Sequence, residues 1–153
     1  MKSILILCGG NPFACDDGFG HHVAKRLEEI GLPENVECMD CGYSASEFAD
    51  VIDGKDKMIF VDVFLSQKPP GTVIHMKPKE FEITVDGRSD VPKMHLIELL
   101  DEIAISGKCP ETVFIGVVPK EIDTASEELT PEIEAKLPEV IDLVMQEIKL
   151  EST

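Results

Sequence analysis

The chain of 153 residues has a net charge of −16, from 30 Asp and Glu residues against 14 Lys and Arg residues. This acidic balance disfavours phosphate backbones and anionic lipid, so we expect neither nucleic acid nor membrane as a partner. No run of residues reaches the roughly 18 apolar residues of a membrane span, and the apolar start "MKSILILC" is too short for a secretory signal. We therefore expect a cytoplasmic protein with one domain over residues 1–153.

Strand and helix patterns alternate along the first half of the chain, which is typical of a parallel sheet covered on both faces. The first strand is apolar at nearly every position, as a strand buried on both sides requires. Gly31 is expected to end the first helix as a C-cap glycine. The predicted order is strand, helix, strand, helix, strand over residues 3–8, 18–30, 35–40, 44–52 and 57–64.

The second half begins with a predicted strand over residues 71–76. The connection to it, through a Pro-Pro-Gly turn, is too short for a helical crossover, so this strand is expected to be antiparallel. Residues 79–93 predict a polar surface loop. A helix, a strand and a closing helix, kinked at Pro138, are predicted over residues 94–104, 111–118 and 130–150. The fold class is therefore α/β, a three-layer αβα sandwich with a mostly parallel twisted sheet and one antiparallel strand.

Polar side chains follow the carboxyl ends of the predicted strands, which is where open α/β sheets bind ligands. The first strand leads into "GGNPFACDDG", which holds Asp16 and Asp17, and the third strand ends near Asp62. The helix after the surface loop begins near His95. Carboxylate and imidazole together suit a borderline divalent cation such as nickel, zinc, cobalt or iron. The glycine loop resembles a phosphate cradle, but its two acids repel phosphate and attract a metal or a cationic group.

Each candidate also has a structural interpretation. Asp17 is at least as well suited to capping the helix that begins at Gly18 as to binding a ligand. Asp16 is suited to the same capping role or to accepting hydrogen bonds from loop amides. A histidine beside a helix start, such as His95, is commonly structural or solvent-facing. Asp62 favours function more strongly, because an acid on a buried strand is costly unless it is paired or functional. The remaining histidines are interpreted as surface residues: His21, His22 and His75.

The cysteines suggest a second kind of site. Cys38 and Cys41 have the spacing of a redox or zinc motif, for which Cys8 or Cys15 would have to supply further zinc ligands. The pair lies on a predicted strand and the turn after it, whereas redox pairs sit where a strand meets a helix. Five cysteines without an export signal indicate reduced thiols rather than a disulfide framework.

Several stretches together resemble one protein family over nearly the full length of the chain. They are "ILILCGGNPFACDDGFGHHVAKRL", "DCGYSA", "MIFVDVF", "PGTVIHM", "MHLIELL", "VFIGVVP" and "LTPEIEAKLPEVIDLV". The chain resembles the maturation endopeptidases of nickel-iron hydrogenases. This resemblance implies an endopeptidase that removes a C-terminal peptide from the hydrogenase large-subunit precursor after nickel insertion, with the substrate-borne nickel as the recognition signal.

The resemblance also assigns residues. Asp17, Asp62 and His95 match the residues to which the family's metal recognition and catalysis are attributed. Cys41 and Tyr43 depart from the small residues and threonine of typical members, and this change indicates the archaeal coenzyme F420-reducing subgroup. The surrounding loop and turn are predicted to bind substrate through Gly10, Asn11, Asp16, Asp40 and Gly42.

The expected mechanism is hydrolysis by a water molecule activated by a carboxylate or the metal, because the sequence offers no Ser-His-Asp order and no "HExxH". Two alternatives stay open. One is a binding or transfer enzyme on a nucleotide fold, although Gly9 and Gly10 provide only half of a dinucleotide fingerprint. The other is a nickel chaperone that cleaves nothing. The sequence gives no indication of oligomeric state.

Overall fold

A computed structural model of the chain describes residues 1–42, 49–77, 91–92 and 110–151. The helices are a 3₁₀ helix at Cys15–Gly18, α1 Phe19–Ile30, α2 Ala49–Ile52, α3 Pro131–Glu134 and α4 Leu137–Leu150. The strands are β1 Ile4–Gly9, β2 Val36–Gly42, β3 Lys57–Leu65, β4 Val73–Met76, β5 Val91–Pro92 and β6 Glu111–Val117.

The strands form one sheet in the order β2-β1-β3-β6-β4, with β5 paired to β3 beside this path. The pairs β2–β1, β1–β3 and β3–β6 are parallel, and β4 is antiparallel to β6. The mostly parallel sheet with an antiparallel strand is therefore confirmed. The strand order reverses between β1 and β3, so the carboxyl ends of these two strands flank the crevice where such sheets bind ligands.

Apolar clusters cover both faces of the sheet. One cluster joins β1 and β3 to Phe19, Val23 and Leu27 of α1 and to the inner face of α4. The other places Ile52 of α2 against aromatic side chains of β3 and β6. The buried stripe predicted along the closing helical segment is confirmed at Ile133, Leu137, Ile141, Val144 and Ile148.

Two predicted elements differ from the structure. The predicted kinked helix is two helices, and Pro138 lies in the first turn of α4, where its missing N–H removes no helical hydrogen bond. Val91–Pro92, inside the predicted loop, form a short strand antiparallel to the end of β3. The predicted helix over residues 94–104 and most of the helix predicted over 44–52 lie outside the described residues. Within the described ranges, no helix combines the length and apolar character that crossing a membrane requires.

A buried ion cluster ties the amino end of β3 to α4. Lys57 is 1% exposed, and its Nζ donates to Glu147 Oε2 at 2.7 Å and to Glu151 Oε1 at 3.1 Å. Burial by itself raises the pKa of Glu147, but the hydrogen bonds from Lys57 and His75 outweigh it and hold the pKa below its ordinary 4.5. The cluster therefore stabilises the folded state as long as the carboxylates are ionised.

Replacing this lysine tests the cluster. We expect Lys57→Met to lower the free energy of unfolding by about 3 kcal/mol at neutral pH, because it removes the buried cation that bonds to both Glu147 and Glu151. A lowered carboxyl pKa contributes stability above pH 4.5, and this contribution is lost as the pH falls through the folded-state pKa. The loss caused by Lys57→Met should therefore be smaller near pH 4 than at neutral pH, as measured by urea unfolding.

The matched control is Lys55→Met, because Lys55 pairs at 3.3 Å with Glu37, whose side chain is 57% exposed. This surface pair should be worth less than about 1 kcal/mol. Equal losses for the two variants, or a loss for Lys57→Met that is independent of pH, would contradict the assignment.

Candidate active site

The loop after β1 uses its own amides to fix its shape. The Gly10 N–H donates to the Gly42 carbonyl at 3.0 Å, and the Asn11 N–H donates to Asp17 Oδ2 at 3.3 Å. The Phe13 N–H donates to Asn11 Oδ1 at 3.0 Å. A phosphate-binding loop aims its amide hydrogens at the ligand, whereas these amides are engaged inside the protein. The similarity to a nucleotide cradle is therefore limited to the glycines.

Asp17 is fully buried in the 3₁₀ helix that precedes α1. The N-cap residue of α1 is Gly18, so Asp17 does not hold the N-cap position. Its carboxylate instead faces the loop after β1, at the edge of the sheet where the sequence places the site.

Asp62 lies near the carboxyl end of β3 and is 1% exposed. Its Oδ1 accepts a hydrogen bond from the Val63 N–H at 2.7 Å. The prediction of a carboxylate held by a buried strand is confirmed.

Gly10 brings the two acids to one place. Its φ is +111°, and a Cβ there would lie 1.9 Å from the Asp17 carbonyl oxygen and 3.3 Å from Asp62 Oδ1. The loop can pack this closely on the end of β3 only because residue 10 has no side chain. Asp17 and Asp62 are therefore neighbours in space although they are far apart in sequence.

Asp16 points elsewhere and holds a second loop. One oxygen accepts hydrogen bonds from the Thr130 N–H at 2.8 Å and from its hydroxyl at 3.0 Å. The other accepts from the Lys120 N–H at 3.0 Å and the Glu121 N–H at 2.9 Å. The interpretation of Asp16 as an acceptor for loop amides is confirmed, while its predicted contact with substrate stays a prediction.

Asp40, near the end of β2, forms part of the same rim. Its Oδ1 accepts a hydrogen bond from the Gly42 N–H at 3.4 Å, and its Oδ2 lies 2.5 Å from His21 Nδ1. His21 was interpreted only as a surface residue, so the sequence missed this pair. The strand order explains this pair, because α1 packs beside β2 and its first turn lies next to the end of that strand.

Cys38 and Cys41 do not form a redox or zinc pair. Cys38 and Cys41 both lie in β2, three residues apart, and side chains alternate between the faces of a strand. Cys38 packs on the α1 side of the sheet and Cys41 on the other. Burial, followed by the negative charges of Asp62 and Asp40, raises the pKa of Cys41 to about 12. Cys41 is therefore a protonated thiol at neutral pH and is unsuited to act as a nucleophile.

The structure thus places Asp17, Asp62 and Gly10 together, with Asn11 beside them and Gly42 at the end of β2 adjoining. His95, the third predicted ligand, lies outside the described residues. Among the residues that are described, no group of three or more His, Cys, Asp and Glu side chains is arranged to hold a metal ion.

The comparisons with known proteins agree with this architecture. The model of the hydrogenase maturation protease family matches residues 21–147. Coenzyme F420 hydrogenase subunit delta from Methanothermobacter thermautotrophicus is 31% identical, over 95% of this chain and 94% of that protein. A putative hydrogenase maturation protease from Methanocaldococcus jannaschii is 31% identical, over 97% of each chain. The hydrogenase maturating endopeptidase HybD from Escherichia coli has the same fold, with a TM-score of 0.85 at 24% identity, covering 97% of this chain and 93% of that one.

A methyl group at residue 10 tests the close approach of the loop to β3. We expect Gly10→Ala to lower the free energy of unfolding by more than about 2 kcal/mol, since backbone strain adds to a clash with the Asp17 carbonyl. The control is Gly31→Ala, which has a φ of +87° and nothing within 4 Å of the added Cβ. With ψ at 140°, Gly31 lies in a region that side chains rarely adopt, so backbone strain without a clash should remain there, and the loss should be smaller than for Gly10→Ala. Equal urea midpoints for the two variants would show that the loop does not pack as described.

Proposed function

The chain belongs to the family of hydrogenase maturation proteases, and from this premise we propose that it removes a C-terminal peptide from the large-subunit precursor of a nickel-iron hydrogenase. The observation that carries the proposal is the buried pair of acids, Asp17 and Asp62, on either side of Gly10. This pair stands at the switch in strand order, where the fold places its ligands.

In this proposal the metal arrives with the substrate. Nickel bound in the precursor takes carboxylate oxygens from Asp17 and Asp62 and an imidazole nitrogen from His95, a donor set that suits this cation. Like charges held close together repel each other. A divalent cation between them attracts both, so a precursor loaded with nickel is held and an empty precursor is not.

Cleavage then uses water as the nucleophile. A carboxylate at the site accepts a proton from the water while the oxygen attacks the scissile carbonyl, and the leaving amine takes up a proton as the peptide bond breaks. Asp62 is the proposed base, because β3 fixes its position and the Val63 amide orients its Oδ1. Cys41, the nearest thiol of β2, remains protonated and takes no part.

The hydrogenase itself is proposed from a relative. The relative from Methanothermobacter is named a subunit of the coenzyme F420 hydrogenase. The departures from the family pattern at Cys41 and Tyr43 in the sequence indicate the same group. We therefore propose the precursor of an F420-reducing hydrogenase as the substrate.

The geometry of the loop after β1 argues against a nucleotide enzyme but does not distinguish a nickel chaperone from a protease. A nucleotide enzyme would need the amides of Gly10 and Asn11 for phosphate, and they bond to the Gly42 carbonyl and the Asp17 carboxylate instead. A nickel chaperone would use the same acids, so only a cleavage assay separates it from a protease.

The decisive experiment is co-expression with the large-subunit precursor, with and without nickel, followed by mass spectrometry of the precursor. We expect loss of a C-terminal peptide only with nickel, and at least a hundredfold slower loss with Asp62→Asn, as for removal of a general base. The variant should keep its fold, because an amide oxygen can still accept from the Val63 N–H.

The control is Asp142→Asn, which makes the same chemical change on the exposed face of α4 and should process at the wild-type rate. Normal cleavage by Asp62→Asn would overturn the proposed mechanism. A precursor that stays intact while the protein binds nickel would identify a chaperone.

A further inference from the structure

The first turn of α1 lies against three neighbouring strands. Gly20 packs on two of them, because a Cβ there would lie 2.3 Å from the Gly9 carbonyl oxygen of β1 and 3.0 Å from the Val61 carbonyl oxygen of β3. His21, the next residue, contacts the third strand, β2. The close approach at Gly20 holds the backbone of this turn on the sheet. Replacing the imidazole of His21 should therefore leave that backbone in place.

The imidazole of His21 bonds to the side chain of Asp40. Its Nδ1 lies 2.5 Å from Asp40 Oδ2, and Nδ1 is the donor because a carboxylate oxygen accepts. Asp40 Oδ1 in turn accepts a hydrogen bond from the Gly42 N–H at 3.4 Å. One carboxylate therefore connects the first turn of α1 to the end of β2.

The end of β2 is irregular at this point. The pairing of β1 with β2 shifts after Cys8, and the next residue of β1, Gly9, pairs with Gly42. Cys41 is therefore an extra residue in β2, which makes the end of this strand a bulge. Gly42 has a φ of +57°, in the left-handed region. A bulge changes the direction of the groups around it, so the bond from the Gly42 amide to Asp40 helps to fix the geometry of this end.

Gly42 connects the end of β2 to the two acids of the site. Its carbonyl accepts a hydrogen bond from the Gly10 N–H at 3.0 Å. A Cβ on Gly10 would lie 1.9 Å from the Asp17 carbonyl oxygen and 3.3 Å from Asp62 Oδ1, so Gly10 lies against both acids. A displacement of Gly42 would therefore move the residue on which the packing of the acids depends.

We propose that His21 is a positioning residue for cleavage of the precursor. By bonding to Asp40 it fixes the bulged end of β2, and through Gly42 it fixes the loop that packs Gly10 against the acids. This inference rests on the proposed function. A small misplacement of the reacting groups slows catalysis strongly. Loss of the imidazole should therefore slow cleavage although His21 acts only through other residues.

Two amide variants separate the two nitrogens of the imidazole. An asparagine amide nitrogen takes the place of Nδ1 in histidine, whereas a glutamine amide nitrogen takes the place of Nε2. With nickel-loaded precursor and mass spectrometry, we expect His21→Asn to cleave close to the wild-type rate, and His21→Gln and His21→Ala to cleave about tenfold more slowly. Retention by His21→Gln with loss by His21→Asn would overturn the proposal, because His21 would then act through Nε2.

The role of Asp40 as the intermediary predicts losses that do not multiply. His21→Ala added to Asp40→Ala should slow cleavage no further than Asp40→Ala alone, since the imidazole acts only through that carboxylate. Independent, fully multiplied losses would contradict the proposed link.

The matched control is His75→Ala, which removes another bond between an imidazole and a carboxylate. His75 Nε2 lies 2.9 Å from Glu147 Oε1, and its side chain is 39% exposed against 34% for His21. Within the described sheet, β4 with His75 and β2 with Asp40 are at opposite edges. The control should cleave at the wild-type rate. Equal losses for His75→Ala and His21→Ala would indicate a general loss of stability and overturn the positioning role.

A second measurement does not depend on cleavage. Amide hydrogen exchange at Gly10, followed by NMR, reports on its hydrogen bond to the Gly42 carbonyl. We expect exchange about tenfold faster in His21→Ala, and wild-type exchange in His21→Asn and His75→Ala. Unchanged exchange in His21→Ala would overturn the proposal, and so would faster exchange with normal cleavage by that variant. Faster exchange in His21→Ala, with a wild-type protein that cleaves no precursor, would support the link from His21 to Gly10 and overturn only the proposed protease activity.

Discussion

The site depends on how closely the loop after β1 packs on the ends of the central strands. Residue 10 touches the Asp17 carbonyl and the Asp62 carboxylate, and any side chain there would overlap the first of these. Gly20 meets the carbonyls of Gly9 and Val61 in the same way. Because the backbones approach this closely, the acids are shielded from water, and it is this shielding that strengthens their attraction for a cation.

Asp16 and Asp17 make different contacts because both lie in the 3₁₀ helix Cys15–Gly18. With about three residues per turn, neighbouring side chains leave such a helix in different directions. Asp16 turns toward Thr130 and the amides of Lys120 and Glu121. Asp17 turns toward Asn11 and the site. One acid therefore holds the loop that contains Lys120, Glu121 and Thr130, and the other faces the loop after β1.

The central strands β1, β3 and β6 could be predicted because a continuous apolar run indicates a strand buried on both faces. Asp62 was recognisable as a candidate because it is an acid within such a run. The sequence could not rank Asp16 against Asp17, since the partners of Asp16 are more than 100 residues away in the chain. The pairing of His21 with Asp40 likewise depends on strand order, which local patterns do not contain. The sequence predicts a kink at Pro138 because it does not show that a new helix begins at Leu137.

Buried charge occurs at both ends of the sheet. At the amino end, the cation of Lys57 bonds to the carboxylates of Glu147 and Glu151. At the carboxyl end, Asp62 accepts a hydrogen bond from the Val63 amide and Asp17 accepts one from the Asn11 amide, and these amides orient the two carboxylates. The first cluster therefore holds the sheet to α4, whereas the second orients acids at the edge where open α/β sheets bind ligands.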